Sequence, residues 1–278
     1  MSVTRDLVRP GPETGFSGLL RLWRQKRRLS QLDLALTAGV SQRHVSFLES
    51  GRANPSRNMI LQLTETLEVP LRDRNAWLTA AGFAPLFRTR TLDDPQMGQV
   101  LAAVRMMLNA HEPFPAVALD RAWNARMSNA AFDRLTGMLG EDIWRRTGCG
   151  DERNLMRLFY HPEGIRGLVV NWSAIGPLVW QRARREAETV AGAEMKAVLD
   201  DLAPFQEPEV LWSHTDTALV PVMPFVLQLG ALRLSMFVVV ATFGTAQDVT
   251  ADELRLETLF PADPETEAWF RAIARPDA

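Results

Sequence analysis

The chain has 278 residues, 46% of them hydrophobic, and a formal net charge of −2. That length suits two domains, and no apolar run approaches the roughly 20 residues needed to cross a membrane. A single cysteine excludes an internal disulfide, and the polar start reads as no export signal, so a cytoplasmic protein is expected.

The charge is unevenly spread. Residues 1–82 carry +5 and the remainder −7. A basic head on an acidic body suits a nucleic-acid-binding domain joined to something with another role. Residues 1–15 hold Pro and Gly without periodicity and read as a loose tail. Helix one is expected over Ser17–Arg28, with Leu19, Leu20, Leu22 and Trp23 inward. Arg21, Arg24, Lys26, Arg27 and Arg28 make it basic, and for each of them phosphate and solvent are equally good partners.

The stretch from Leu29 to Ser56 spells helix, tight turn, helix. Ser30 with Asp33 three residues on forms an approximate capping box. Leu34 and Ala35 turn inward, and Gly39 ends the helix where a left-handed backbone costs little. Ser41 caps the next helix. Val40, Val45 and Leu48 face the core, leaving Gln42, Arg43, His44, Ser46 and Phe47 outside. Arginine can take guanine bidentately and glutamine adenine, and the first residues of a helix in the major groove reach deepest. Gln31, starting the preceding helix, suits a phosphate. Phe47 is either a thymine-methyl contact or core. The loop Gly51–Ser56 offers Arg52 and Asn54, and Arg57 follows it; these are expected phosphate contacts, which supply register rather than sequence reading. A fourth helix begins after Ser56, and Pro70 separates a fifth that closes at Gly82.

These residues resemble the XRE, or lambda-repressor/Cro-type, helix-turn-helix family. The resemblance rests on Trp23-Arg24 through Arg27, Leu29-Ser30-Gln31, Leu34-Ala35, Gly39-Val40-Ser41 and Ser46-Phe47-Leu48-Glu49-Ser50-Gly51. It implies an ion pair between Arg24 and Glu49, and operator binding as a homodimer with half-sites about one helical turn apart. A helical hairpin with no DNA role is the weaker reading, because caps, turn, burial and exposed polar set all agree.

Residues 83–95 read as a linker or docking strap, in which Leu86 and Phe87 pack on something. A helix follows from Gln96 to about Ala110. Ala116–Leu119 is a short strand, Asp120-Arg121 a turn, and Trp123–Met127 the returning strand. Ser128 or Asn129 caps a helix from Ala130 to about Leu139. Another helix covers Asn154–Tyr160. A long helical region runs over Gly164–Val190, which Gly176-Pro177 must kink or break. Gly192–Leu202 is helical, and Val210, Leu211 and Trp212 pack back on the helices. Val220–Leu229 and Leu232–Phe243 read as strands, Leu254, Leu256, Thr258 and Phe260 alternate as a third, and a short helix with Trp269 and Phe270 ends the chain. The expected fold is thus an all-α five-helix helix-turn-helix domain over 16–82, a linker over 83–95, and an α+β domain over 96–278, an antiparallel sheet with a helical insertion.

The second domain carries little polar chemistry. Its histidines are scattered, and no His or Cys pair has metal-ligand spacing. Ser213, His214 and Asp216 are too close in sequence for triad geometry. Paired acids read as solvated caps, and Cys149 as a small unreactive side chain. No enzyme and no cofactor are expected. Six of the eight tryptophans lie here, and helices over a small sheet can enclose an apolar cavity. From aromatic placement its lining would be Trp123, Met127, Phe132, Leu158, Phe159, Trp172, Ile175, Phe225 and Phe237. For any one of these residues ordinary core packing is the stronger reading.

The domain resembles the MmyB-like ligand-binding domain, a PAS-like fold that follows an XRE domain in many bacterial regulators. The matching features, in order, are Arg74-Asn75, Ala80-Ala81-Gly82-Phe83-Ala84-Pro85, Leu119-Asp120, Asn129, Leu158-Phe159, His161-Pro162, Asn171-Trp172, Trp212 and Gly230-x-Leu232-x-Leu234. Where relatives have His-Pro ahead of the last motif, this chain has Met223-Pro224. The resemblance implies a regulator whose second domain holds a fatty acid or similar apolar effector and supplies dimerisation. The alternatives are a DNA-binding protein with a ligand-free interaction module and, weaker, an enzyme with a DNA-binding head.

Overall fold

The computed structural model describes residues 15–188, 192–206 and 222–274. The expected tail before Gly15, the segment Val210, Leu211 and Trp212, the Ser213-His214-Asp216 group and the strand start at Val220 lie outside these residues. The described residues divide into two compact units, one ending at Thr89 and taking in Gln247–Val249, the other holding the rest.

The first unit is built from α1 (Phe16–Lys26), α2 (Gln31–Thr37), α3 (Gln42–Glu49), α4 (Arg57–Thr66) and α5 (Leu71–Ala80). Its starts are fixed by side chains. Ser30 and Asp33 form a complete capping box, Ser41 accepts from the His44 N–H, and Ser56 accepts from the Met59 N–H. Gly39, at φ +65°, makes the turn between α2 and α3, where a side chain would be strained. Helices of 7 and 8 residues such as α2 and α3 are not stable alone. They are held by one shared core of Leu20, Leu34, Val45, Leu48, Ile60, Leu63, Trp77 and Leu78, each aliphatic side chain contributing about 1.5–3 kcal/mol by burial. The expected linker begins as part of this unit. The Asn75 side chain accepts from the Leu86 and Phe87 N–H groups at 2.9 and 3.0 Å and donates to the Phe87 carbonyl at 2.6 Å, strapping that segment to α5.

The second unit opens with α6 (Gly98–Ala110) and holds one sheet of β1 (Ala116–Leu119), β2 (Ala125–Ser128), β3 (Phe225–Leu229), β4 (Leu232–Thr242) and β5 (Arg255–Pro261). The strands lie in the order β2-β1-β5-β4-β3 with every neighbour antiparallel. Between β2 and β3 come α7 (Ala130–Gly137), α8 (Ile143–Arg146), α9 (Leu155–Tyr160), α10 (Trp172–Ala187) and α11 (Ala193–Leu202). Then α12 (Val249–Glu253) precedes β5, and α13 (Pro264–Ile273) follows it.

Strand parity sorts the core. On one sheet face Ala116, Ala118 and Leu256 pack under Val104 and Leu108 of α6. On the other, Val117 and Leu119 meet Phe132 of α7, and Leu234, Met236 and Leu259 meet Leu158 of α9 and Phe270 of α13. Two asparagines, Asn129 buried and Asn171 half-buried, hold the frame. Asn129 accepts from the Ala116 and Phe132 N–H groups and donates to the Leu108 and Phe114 carbonyls. Asn171 accepts from the Val226 N–H and donates to the Pro224 carbonyl, tying the start of α10 to β3.

Four expectations are corrected. Trp123 is not in the returning strand: β2 starts at Ala125, and Trp123 sits in the preceding turn at φ +67°. Of the kink or break expected at Gly176-Pro177, the break does not occur: α10 runs through it, and the long helical region is interrupted earlier, after a 3-10 turn at Arg166–Leu168. Proline removes one helical hydrogen bond, but Trp180 and Ala183 beyond it pack with Met195 and Leu199 of α11 and hold the helix together. Gly176 serves contact instead, since a Cβ there would stand 2.8 Å from Trp172. The polar residues alternating along β5 do not face solvent: Arg255 and Glu257 are buried along with Leu254 and Leu256, because both faces of this central strand are covered. Finally, Leu22 of α1, expected inward, is exposed.

Candidate nucleic-acid interface and the buried face of the sheet

Helix α3 is positioned from behind. Glu49, at its last turn, is buried. It accepts from Arg24 Nε at 2.6 Å and Nη2 at 3.1 Å, and from Gln31 Nε2 at 2.8 Å. Arg24 also donates to the Leu29 carbonyl and Arg21 to the Glu49 carbonyl, so α1, α2 and α3 meet on one carboxylate. Burial pushes that carboxyl up, but the Arg24 and Gln31 hydrogen bonds and the Arg24 and Arg21 charges outweigh it and hold it below the ordinary value.

The opposite side of α3 is open. Gln42 and Arg43 are exposed, as are Arg52 and Asn54 in the following loop and Arg57 at the start of α4. His44, Ser46 and Phe47 are half-buried. Phe47 is neither core nor bare surface: the Arg43 guanidinium lies 5.1 Å and that of Arg52 6.0 Å from its ring centre. The ring therefore aligns two cations along one edge of the helix. Gln31 stands apart from this set, because its amide is engaged by Glu49. Of the basic residues on α1, Arg21, Arg24 and Arg27 all donate to carbonyls of other segments.

The nine apolar residues expected to line one cavity are divided by the sheet. Trp123, Phe132, Leu158, Phe159, Trp172 and Phe225 lie on the face covered by α7, α9, α10 and α13, as members of its three clusters. Ile175, on the same helix as Trp172, is buried. Met127 and Phe237 lie on the other face: Met127 pairs with Ala118 under α6, and Phe237 stacks on Phe260 at 5.6 Å. Side chains alternate along strands, so these two cannot share a lining with the rest. The center of the covered face is an aromatic group around Tyr160, whose ring lies 4.9 Å from Trp172 and 4.9 Å from Trp180. Phe159 and Trp172 join it to the cluster under β3 and β4.

One polar cluster at the edge of that group was not anticipated. Arg182 and Glu186 of α10 meet Arg255 and Glu257 of β5 around the Trp123 ring. Arg255 and Glu257 alternate with leucines along the strand, and contacts from the covering helix α10 make them interior. Among the described residues no group of three or more His, Cys, Asp or Glu side chains could hold a metal ion, and none of the helices is long and apolar enough to cross a membrane. Cys149 is buried beside Thr147.

Residues 20–73 match the family model described as Helix-turn-helix, and residues 100–273 match that of the MmyB-like transcription regulator ligand binding domain. No curated protein matches the chain. Since the second match spans more than half of its length, the chain belongs to the MmyB-like transcription regulator family, as a DNA-binding regulator whose second domain binds a ligand.

Proposed function

We propose that residues 16–82 read a specific operator in the cytoplasm and that residues 96–278 dimerise the protein and hold an apolar effector such as a fatty acid. The observation that carries the reading is α3: its first turn offers Gln42 and Arg43 to solvent while its last turn is anchored by Glu49. An exposed helix start with planar bidentate side chains fits the major groove, and Arg52, Asn54 and Arg57 flank it as phosphate partners. A two-fold pair of such helices matches an operator of related half-sites. An effector acts on DNA affinity only by binding two arrangements of the dimer unequally.

The test is fluorescence anisotropy on operators selected from random duplexes. Gln42→Ala and Arg43→Ala should each weaken the selected site by about 1–3 kcal/mol and relax sequence preference. Unchanged affinity and preference would remove the recognition-helix assignment. A second reading, in which the C-terminal domain is a ligand-free interaction module, draws on the exposed Val238, Val239 and Val240 of β4. Native mass spectrometry separates the two, since a co-purifying acyl compound belongs to the sensor alone.

A further inference from the structure

We infer that Phe47 sets the sequence preference of α3 without touching a base: its ring positions Arg43 for a guanine in the major groove and Arg52 for a backbone phosphate. The inference rests on the DNA-binding reading of α3 and assigns the ring its part in it.

Phe47 is half-buried, yet it is not among the side chains packed into the core of the first unit. Its ring is covered from the surface side instead. The Arg43 guanidinium lies 5.1 Å and the Arg52 guanidinium 6.0 Å from its centre. Arg43 reaches the ring from four residues earlier, the spacing that brings two side chains together on a helix. Arg52 is brought there by the backbone. Gly51 turns the chain at φ +71°, and the Phe47 carbonyl accepts from the Arg52 N–H at 2.9 Å and from the Ala53 N–H at 3.3 Å. One residue thus holds the loop by its carbonyl and two cations by its ring.

Neither guanidinium has a hydrogen bond or an ion pair among the described residues. In this they differ from Arg21, Arg24 and Arg27, which donate to carbonyls of other segments. Two like charges drawn to one place repel each other, and the negative face of an aromatic ring attracts both. Their donors stay unspent. The Arg43 fork remains for guanine O6 and N7, and the Arg52 donors for phosphate.

A long side chain loses its rotamers when it binds; one already packed on a ring loses fewer, and the difference appears as affinity. For Arg43 it appears as preference too, because a base edge carries sequence and a phosphate does not. A ring that gives its surface to two guanidinium groups has little left for a thymine methyl, the other contact an apolar side chain makes in the groove.

The experiment measures fluorescence anisotropy of the full chain on its selected operator and on duplexes changed at single base pairs. Arg43→Ala and Gln42→Ala first identify the pair that each residue reads, as the position where its loss abolishes discrimination. Phe47→Leu keeps an apolar side chain and removes the ring. It should cut discrimination at the Arg43 pair by roughly two- to fivefold, the range of an exposed cation–π contact, and leave the Gln42 pair as it was. Phe47→Tyr keeps the ring and should restore the native value. Replacing thymines one at a time by deoxyuridine, which removes only the methyl, should cost the native chain and Phe47→Leu equally. Three results overturn the inference and leave α3 as the recognition helix: undiminished discrimination in Phe47→Leu, equal relaxation at the Arg43 and Gln42 pairs, or a thymine methyl whose removal weakens the native chain alone. Preference untouched by Arg43→Ala and by Gln42→Ala overturns the inference and the recognition-helix reading together.

Discussion

Arg24 of α1 and Glu49 of α3, 25 residues apart, are joined by two hydrogen bonds from one guanidinium edge to one carboxylate. Their side chains are only 13% and 3% exposed. Removing one partner leaves a buried charge uncompensated, which costs more than the pair itself contributes. Glu49→Ala is therefore expected to lower unfolding free energy by about 3 kcal/mol in urea titrations. DNA affinity should fall with it, because α3 loses the contact that fixes its angle.

The same pair sets an acid limit. The folded Glu49 carboxyl lies below its ordinary 4.5, while the unfolded chain protonates near that value. Its contribution is present in full above pH 4.5 and is lost as pH falls below it through the folded value. Urea midpoints at descending pH should fall more steeply for the native chain than for Glu49→Gln.

Arg52 is exposed in the loop after α3, with its guanidinium on the Phe47 ring rather than at the start of the helix. A phosphate contact carries no sequence information. Arg52→Ala should weaken binding to every duplex alike and reduce the slope of log affinity against log salt by about 1. A change confined to one sequence would make it a base reader.

Gly176 is fixed by the Trp172 indole, which a Cβ would approach to 2.8 Å. Tyr160 also donates its hydroxyl to the Gly176 carbonyl. Gly176→Ala gains helix propensity but overpacks the aromatic group, and a net loss of about 1–3 kcal/mol is expected. A raised melting temperature with unaltered tryptophan emission would show that the group has room to spare.

Ser41 accepts from the His44 N–H at 3.2 Å and is exposed, so its contribution is local. Ser41→Ala should cost about 1 kcal/mol, the ordinary value for a lost cap, whereas Ser41→Gly should cost only a few tenths. Thermal melts of both variants test this order.

The sequence by itself determined most of the first unit, Leu22 and Gln31 apart. Caps, a φ-positive glycine and an inward apolar face are all written in neighbouring residues, so Ser30, Gly39, Ser41 and Val45 could be placed without knowing what lay beyond them. The sheet of the second unit was legible as strands, because alternation is local too. Tertiary structure alone decided which residues share a side. Met127 and Phe237 parted from Trp172 through strand parity, and Gly176-Pro177 stayed helical through packing on α11. Arg255 and Glu257 became interior only because α10 crosses β5. A polar residue between leucines looks the same whether water or a helix covers it, and that covering is set by contacts 69 and 75 residues away.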